Sequence, residues 1–257
     1  MRFTVVPIVL FIGFVSSLWL LVAGVVLSVW WDVYHSSLQT FGLGRIYDAK
    51  NGSDPNAGRT LDIWMNHVLY IGPILGGAAL IDHVQMTAPV TQKLGFQVTP
   101  LRVYSFQNAI YWPLLLGCVG FFIFYVGAYW RLHRKGYRIS PHKVALQTIT
   151  GFTTVFCWGF SPFKIAFAAI NFFHAFQYFA LVWWTEKKTI VPLFHLENRT
   201  KGKWLALALF IGVSMGYGYF ASSSFMFARW GISLFMVVSL MHFWYDGFIW
   251  SVRKKQV

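Results

Sequence analysis

The sequence predicts an all-α protein, a polytopic transmembrane helix bundle of about seven spans with the N-terminus outside and the C-terminus cytoplasmic. Three observations carry this reading. Hydrophobic residues fill 57% of the 257 positions and charged residues only 11%, against about 25% charged in an ordinary soluble domain. The apolar residues gather into runs of about 20, the length that crosses a hydrocarbon core roughly 30 Å thick. Finally, Lys and Arg fall mostly in alternate loops between those runs, as the positive-inside rule requires.

The runs lie near 4–31, 62–82, 108–130, 144–161, 163–185, 204–221 and 227–250, within a single bundle over 1–257. The first is far longer than the apolar region of a signal peptide, and no small-residue cleavage site follows it, so it reads as a retained helix. The segment from Asn51 to Asn56 is rich in turn residues and reads as a mobile loop. The fourth and fifth runs meet at Ser161-Pro162, where proline imposes a tight turn or a break. If that joint only broke one helix, the count would be six. Gly212 and Gly216 in the sixth run permit close approach of a neighbouring helix. Trp30, Trp31, Trp183, Trp184 and Trp250 fall at the expected cytoplasmic helix ends, where an aromatic belt belongs.

Seven spans place sixteen of the 21 basic residues on one side, leaving Arg2, Lys93, Arg102, Lys164 and Arg229 on the other. That imbalance sets the orientation. The net charge of +13 therefore points to anionic lipid headgroups and not to nucleic acid. The sequons at Asn51 and Asn198 fall on the cytoplasmic side and are expected to stay unglycosylated. The two cysteines, Cys118 and Cys157, sit in separate apolar runs and read as small buried hydrophobes.

Ionisable residues inside spans are costly and usually face the bundle interior. Asp32 and His35 follow the first run at its cytoplasmic end. Asp62 and His67 open the second on the same side, with Asp62 read as solvated at the interface. His174 and Gln177 lie near the middle of the fifth run, and His242 and Asp246 in the cytoplasmic half of the seventh. Four spans thus carry His with Asp or Gln in one half of the membrane. His242 and Asp246 are four apart and His174 and Gln177 three apart, so each pair shares a helix face. Inward-facing ligands on separate helices are how bundles hold metals, and imidazole with carboxylate suits transition metals. The candidate ligands are His67, His174, His242 and Asp246, with His35 and Gln177 as first-sphere or supporting groups. The alternative for any one histidine is a packing residue hydrogen-bonded to a neighbouring helix. The sequence has no HExxH motif and no dense HxxxH or HxxHH array, unlike membrane desaturases and hydroxylases.

Two segments carry a resemblance. Asn171 to Tyr178 has the pattern N-x-x-H-x-x-Q-Y, and Met241 to Arg253 contains H-F-x-x-D-G-x-I-W-x-x-R. Together they resemble a group of poorly characterised bacterial multi-span membrane proteins. More distantly, seven spans with scattered histidines resemble the bacterial carotene-cleaving oxygenases of the Brp/Blh type. That resemblance implies iron held by histidines from several helices, with no ligand assignment carried over residue by residue.

The leading expectation is an integral-membrane metal-dependent oxidoreductase, with non-haem iron, that oxidises a lipid-like apolar substrate. Its partners would be membrane lipids, an apolar small molecule and an electron donor, and its place the inner (cell) membrane of a bacterium. A haem protein for electron transfer, with two axial histidines, is the alternative. A proton-coupled transporter using Asp and His as a relay is another, although no internal repeat supports it. An accessory membrane subunit without chemistry of its own is the last.

Overall fold

The computed structural model describes residues 4–54, 56–86, 88–93, 95, 97–221 and 228–249. Among these the chain is helical without strands. In order, the helices are α1 (Val5–Ser16), α2 (Leu18–Lys50), α3 (Arg59–Gly76), α4 (Leu80–Gln85), α5 (Ala88–Lys93), α6 (Pro100–Arg134), α7 (Pro141–Phe160), α8 (Phe163–Leu193), α9 (Gly202–Ala221) and α10 (Arg229–Ile249). Four of them, α2, α6, α8 and α9, are long and apolar enough to cross a membrane. Large apolar side chains point outward from the helices, including Trp112, Leu116 and Ile123 on α6 and Phe152 and Phe156 on α7. Such a surface suits hydrocarbon and not water.

The first apolar run, expected as one helix over 4–31, is two. Ser17 is extended (φ −125°, ψ 118°), and its hydroxyl accepts from the Leu20 amide at 3.4 Å as an N-cap for α2. Residues 32–50, expected as loop, continue α2 as helix. Hydropathy misreads them because their polar side chains face inward. Ser36, Ser37, Thr40, Arg45 and Asp48 are all buried, while Trp30 and Tyr34 are exposed. Trp30, Trp31, Trp183 and Trp184 consequently lie inside helices and not at their ends, and Trp250 lies outside the described residues. At 1.5 Å per residue, α2, α6 and α8 are about 45–53 Å long, so they tilt or project beyond the hydrocarbon core.

The chain forms two compact units, and the boundary falls inside both α2 and α8. One unit holds α1, α2 up to Val29, α8 from Ala175, α9 and α10. In it α1 packs on α10, with Phe14 and Leu21 against Met236, Val237 and Met241. Gly24 admits the Phe14 ring, since a Cβ there would lie 2.7 Å from it. A second cluster joins Val191, Leu196 and Ala206 across the α8–α9 turn.

The other unit runs from Trp30 to His174. Its core joins Val33 of α2, Tyr70 and Ile74 of α3, Leu80 of α4, Val103 of α6, Cys157 and Trp158 of α7 and Ala166 and Ile170 of α8. At one end of this unit the last turns of α2 and α6 meet the first turns of α3 and α7 around four buried charges. Arg45 pairs with Asp48 and Asp62. The Lys143 Nζ lies 2.9 Å from Asp48 and 2.7 Å from Asp62. Tyr125 and Tyr129 donate to Asp62 Oδ1 at 2.7 and 2.6 Å, and Lys143 donates to Tyr129 at 2.6 Å. Two cations balance two carboxylates. In the adjoining turn, burial and then nearby Asp48 push the Tyr137 phenol above its ordinary range, so it stays protonated. The two turns at this end are tied together. Ser53 Oγ donates to Arg138 O at 2.8 Å and accepts from Arg138 N at 3.0 Å, while Arg45 donates to Ala57 O at 2.8 Å. The described part of the 51–56 segment is therefore hydrogen-bonded to the α6–α7 turn.

The opposite end holds the helix breaks. Gly77 is extended and touches Gly159: a Cβ on Gly77 would sit 2.4 Å from the Gly159 Cα. Gln107 donates to the Gly77 carbonyl at 2.6 Å, and Ala79 donates to Gly159 O at 3.1 Å. Ser161-Pro162 separates α7 from α8 as two distinct helices. Asp82 Oδ2 accepts from the Phe163 amide at 2.7 Å, capping α8 from outside, and His83 Nε2 donates to Ser161 O at 3.0 Å.

Removing one partner of a buried ion pair leaves the other charge stranded. Lys143→Met is therefore expected to destabilise the detergent-solubilised protein by about 3–5 kcal/mol, measured by thermal unfolding. Exposed Lys135 provides the control for simple loss of a positive charge, and Lys135→Met should change little.

Candidate functional site

The second unit brings two of the candidate histidines together. His35 is carried by α2 and His174 by α8, and both are buried. Their ring centroids are 4.9 Å apart at an interplanar angle of 70°. Local spacing explains the arrangement. On α2, Asp32, His35 and Gln39 recur at helical intervals along one face, and on α8 Asn171 and His174 do the same. Val33 and Ile170, close to these residues in sequence, pack into the shared core and set the two faces against each other.

The polar residues around the pair are themselves connected. Asn171 Nδ2 donates to Asp32 Oδ2 at 3.1 Å, one turn before each histidine. Gln39 Nε2 donates to the His174 carbonyl at 3.1 Å. Thr40 and Tyr70 hydroxyls lie 3.2 Å apart just beyond. Because α2 continues to Lys50, Asp32 and His35 sit well inside a helix and not at its end. Along the helix, His35 is about 20 Å from Asp48, and His174 is about 17 Å from the start of α8. The pair thus lies far along the helices from the buried charges.

The donor set can be tested against the groups it was expected to hold. Metal–imidazole bonds are about 2 Å long, which places each ring centre about 3 Å from the ion. Two histidines on neighbouring positions of one ion then have ring centres about 4.5–5 Å apart, and two on opposite faces of a haem about 6 Å. The observed 4.9 Å fits the first geometry, and it is also the spacing of an ordinary edge-to-face ring contact. Asp32 stands one turn before His35 on the same face of α2, and its side-chain partner is Asn171.

The other candidates have different surroundings. His67 meets α2 at Tyr34 and Ser37: its ring stacks on Tyr34 at 5.9 Å, meets Trp64 edge-on at 5.9 Å, and its Nδ1 lies 3.4 Å from Ser37 Oγ. Among the described residues it joins no group of three or more potential ligands. His242 and Gln177 belong to the other unit and are partly buried there. The His242 ring meets Tyr178 edge-on at 5.3 Å, beside Met241 in that unit's core. Asp246 lies on α10, and its side chain is outside the described residues.

Asp62 is not solvated as expected. It is 1% exposed and holds the centre of the ionic cluster. Sequence reasoning missed this cluster altogether, because Arg45 and Lys143 read as ordinary loop charges. The available signal was the combination of Arg45 and Asp48 three apart with tyrosines at 125 and 129, four apart on one face.

Asn171→Leu should leave the buried Asp32 carboxylate without this donor, at a cost of about 1–3 kcal/mol in thermal stability. Asn171→Asp should be at least as damaging, since it sets two acids face to face. No protein family, curated protein or solved structure matches this chain.

Proposed function

We propose that the protein is an integral-membrane metal-dependent oxidoreductase acting on a lipid-like apolar substrate. The observation that carries this is the buried pair His35 and His174, spaced as two ligands of one ion are. A transition metal is the group this donor set favours, and imidazole with a nearby carboxylate fits iron. When bound, iron would supply activation of dioxygen for oxidation of an apolar chain. The protein's own contribution is to hold both imidazoles in place, support His35 through Asp32, and keep water away from the site. An electron donor is the expected partner. The sequence adds His67, His242, Asp246 and Gln177 as further candidate ligands, each to be tested singly. The centroid spacing weighs against axial haem ligation by this pair.

The proposed setting is the inner membrane of a bacterium, crossed seven times with the N-terminus outside. Support comes from the second unit, where the α2–α3 and α6–α7 turns share one end and the α7–α8 turn meets α4 at the other. The charge imbalance between loops then sets which end is cytoplasmic.

Metal analysis with an absorption spectrum on detergent-purified protein is expected to give about one ion per chain and no Soret band, by the bonding geometry above. His35→Ala and His174→Ala should each abolish metal retention while preserving the helical circular dichroism. Unchanged metal content in both variants would refute the site, and a Soret band would transfer the assignment to haem. For orientation, a protease-sensitive tag at the C-terminus should be cut in inverted vesicles and protected in right-side-out ones. The reverse pattern overturns the topology.

A further inference from the structure

We propose that a cavity between α3, α6 and α7 holds one acyl chain of a membrane phospholipid. This does not rest on the histidine pair, and either idea can fail without the other. The cavity has a volume of about 300 Å³. Its walls run from Val68 to Gly77 on α3, from Tyr111 to Cys118 on α6 and from Val155 to Phe160 on α7. On α3 that is about 13 Å along the axis, so the space is a slot parallel to the helices.

Glycines line the slot where α3 comes close to α6. A Cβ on Gly72 would come within 3.3 Å of Cys118 Sγ, and one on Gly76 within 3.5 Å of Leu114 Cδ2. The Gly77–Gly159 contact closes one end by backbone against backbone. The slot's chemistry is almost wholly apolar. The carbonyls freed where α3 stops, Leu75 and Gly77, are taken by the Gln107 amide at 3.3 and 2.6 Å. A buried water needs two to four polar partners, and such a lining does not supply them. An occupant must therefore be hydrocarbon, which restores the dispersion contacts an empty space forfeits.

The mouth selects the source. Tyr111, Leu115, Val155 and Phe160 at the rim are exposed on the outer, apolar surface of these helices, where bilayer acyl chains are the surrounding medium. The slot occupies the half of the unit nearest the helix breaks. At that end Arg102, in the first turn of α6, and Lys164, in the first turn of α8, are exposed cations. They put positive charge at the end of the unit nearest the slot, where a lipid phosphate would be drawn.

The test uses the full-length protein in phosphatidylcholine–phosphatidylglycerol vesicles that contain phosphatidylcholine with a diazirine on one acyl chain. Crosslinks should concentrate on 68–77 and 111–118, saturate, and include Cys118. Gly76→Leu should lower labelling of these segments fivefold or more while leaving label on outward-facing Ile123 and Phe152 unchanged. Cys118→Phe, which fills the slot from the opposite wall, should do the same and keeps the test decisive if Gly76→Leu fails to fold. Labelling that follows surface exposure and ignores both variants would overturn the proposal. So would labelling by diazirine-bearing palmitic acid that phospholipid does not compete away, which would make the ligand a free fatty acid.

Discussion

Four charges buried at one end of the second unit set the terms for the rest of it. Arg45, Asp48, Asp62 and Lys143 are each almost wholly removed from solvent, and they come from α2, α3 and α7. In a weakly polarisable medium, separating any of them leaves an uncompensated charge, at a cost far above what surface pairs provide. The tyrosines of α6 complete the arrangement by donating to Asp62. Four helix ends are therefore held in one register by groups that cannot part company. Gly58 (φ 70°) contributes by omission: a Cβ there would lie 2.5 Å from the Tyr129 hydroxyl. Only a residue without a side chain lets the turn close over the cluster.

The same rule, that polar groups away from water must find partners inside the protein, governs the backbone at the opposite end. The interruptions of α3 and α7 there are answered by side chains from other elements. Gln107 takes the carbonyls left where α3 ends, Asp82 takes the first amide of α8, and His83 takes the Ser161 carbonyl. The breaks are thus fixed features of the fold. They let α3 and α7 cross closely at Gly77 and Gly159, and that crossing shapes the slot beside them. The two ends, one ionic and one built from capped breaks, fix α2 and α8 between them at the depth where His35 and His174 meet.

Much of the helical order was legible from apolar run length alone: the described parts of the runs at 108–130, 144–161, 163–185, 204–221 and 227–250 fall on helices, with only residues at the run ends outside them. The Ser161-Pro162 joint was legible too, because proline cannot continue the preceding helix's hydrogen bonding. The run at 4–31 misled because hydropathy averages over a two-serine break that only the capping geometry of Ser17 reveals. Residues 32–50 misled for the opposite reason. A helix whose polar face points inward carries the average hydropathy of a loop. His35 and His174 could be named from sequence as costly residues in a membrane, but not paired, since their contact depends on the register between α2 and α8. Asp62 was placed in water because the sequence offers no view of Lys143, 81 positions away, closing over it.

The two polar stations in this unit differ in what they leave for a ligand. In the ionic cluster the charges cancel, and both carboxylates are engaged by protein cations or phenols, so its chemistry is spent on holding helices together. The histidine pair is of another kind. Its two imidazoles meet edge to face in the interior, each with one donor and one acceptor nitrogen when neutral. Asp32 stands one turn before His35 on α2, where its carboxylate accepts from Asn171. The cluster is what the fold needs, and the pair is what the proposed metal site would rest on.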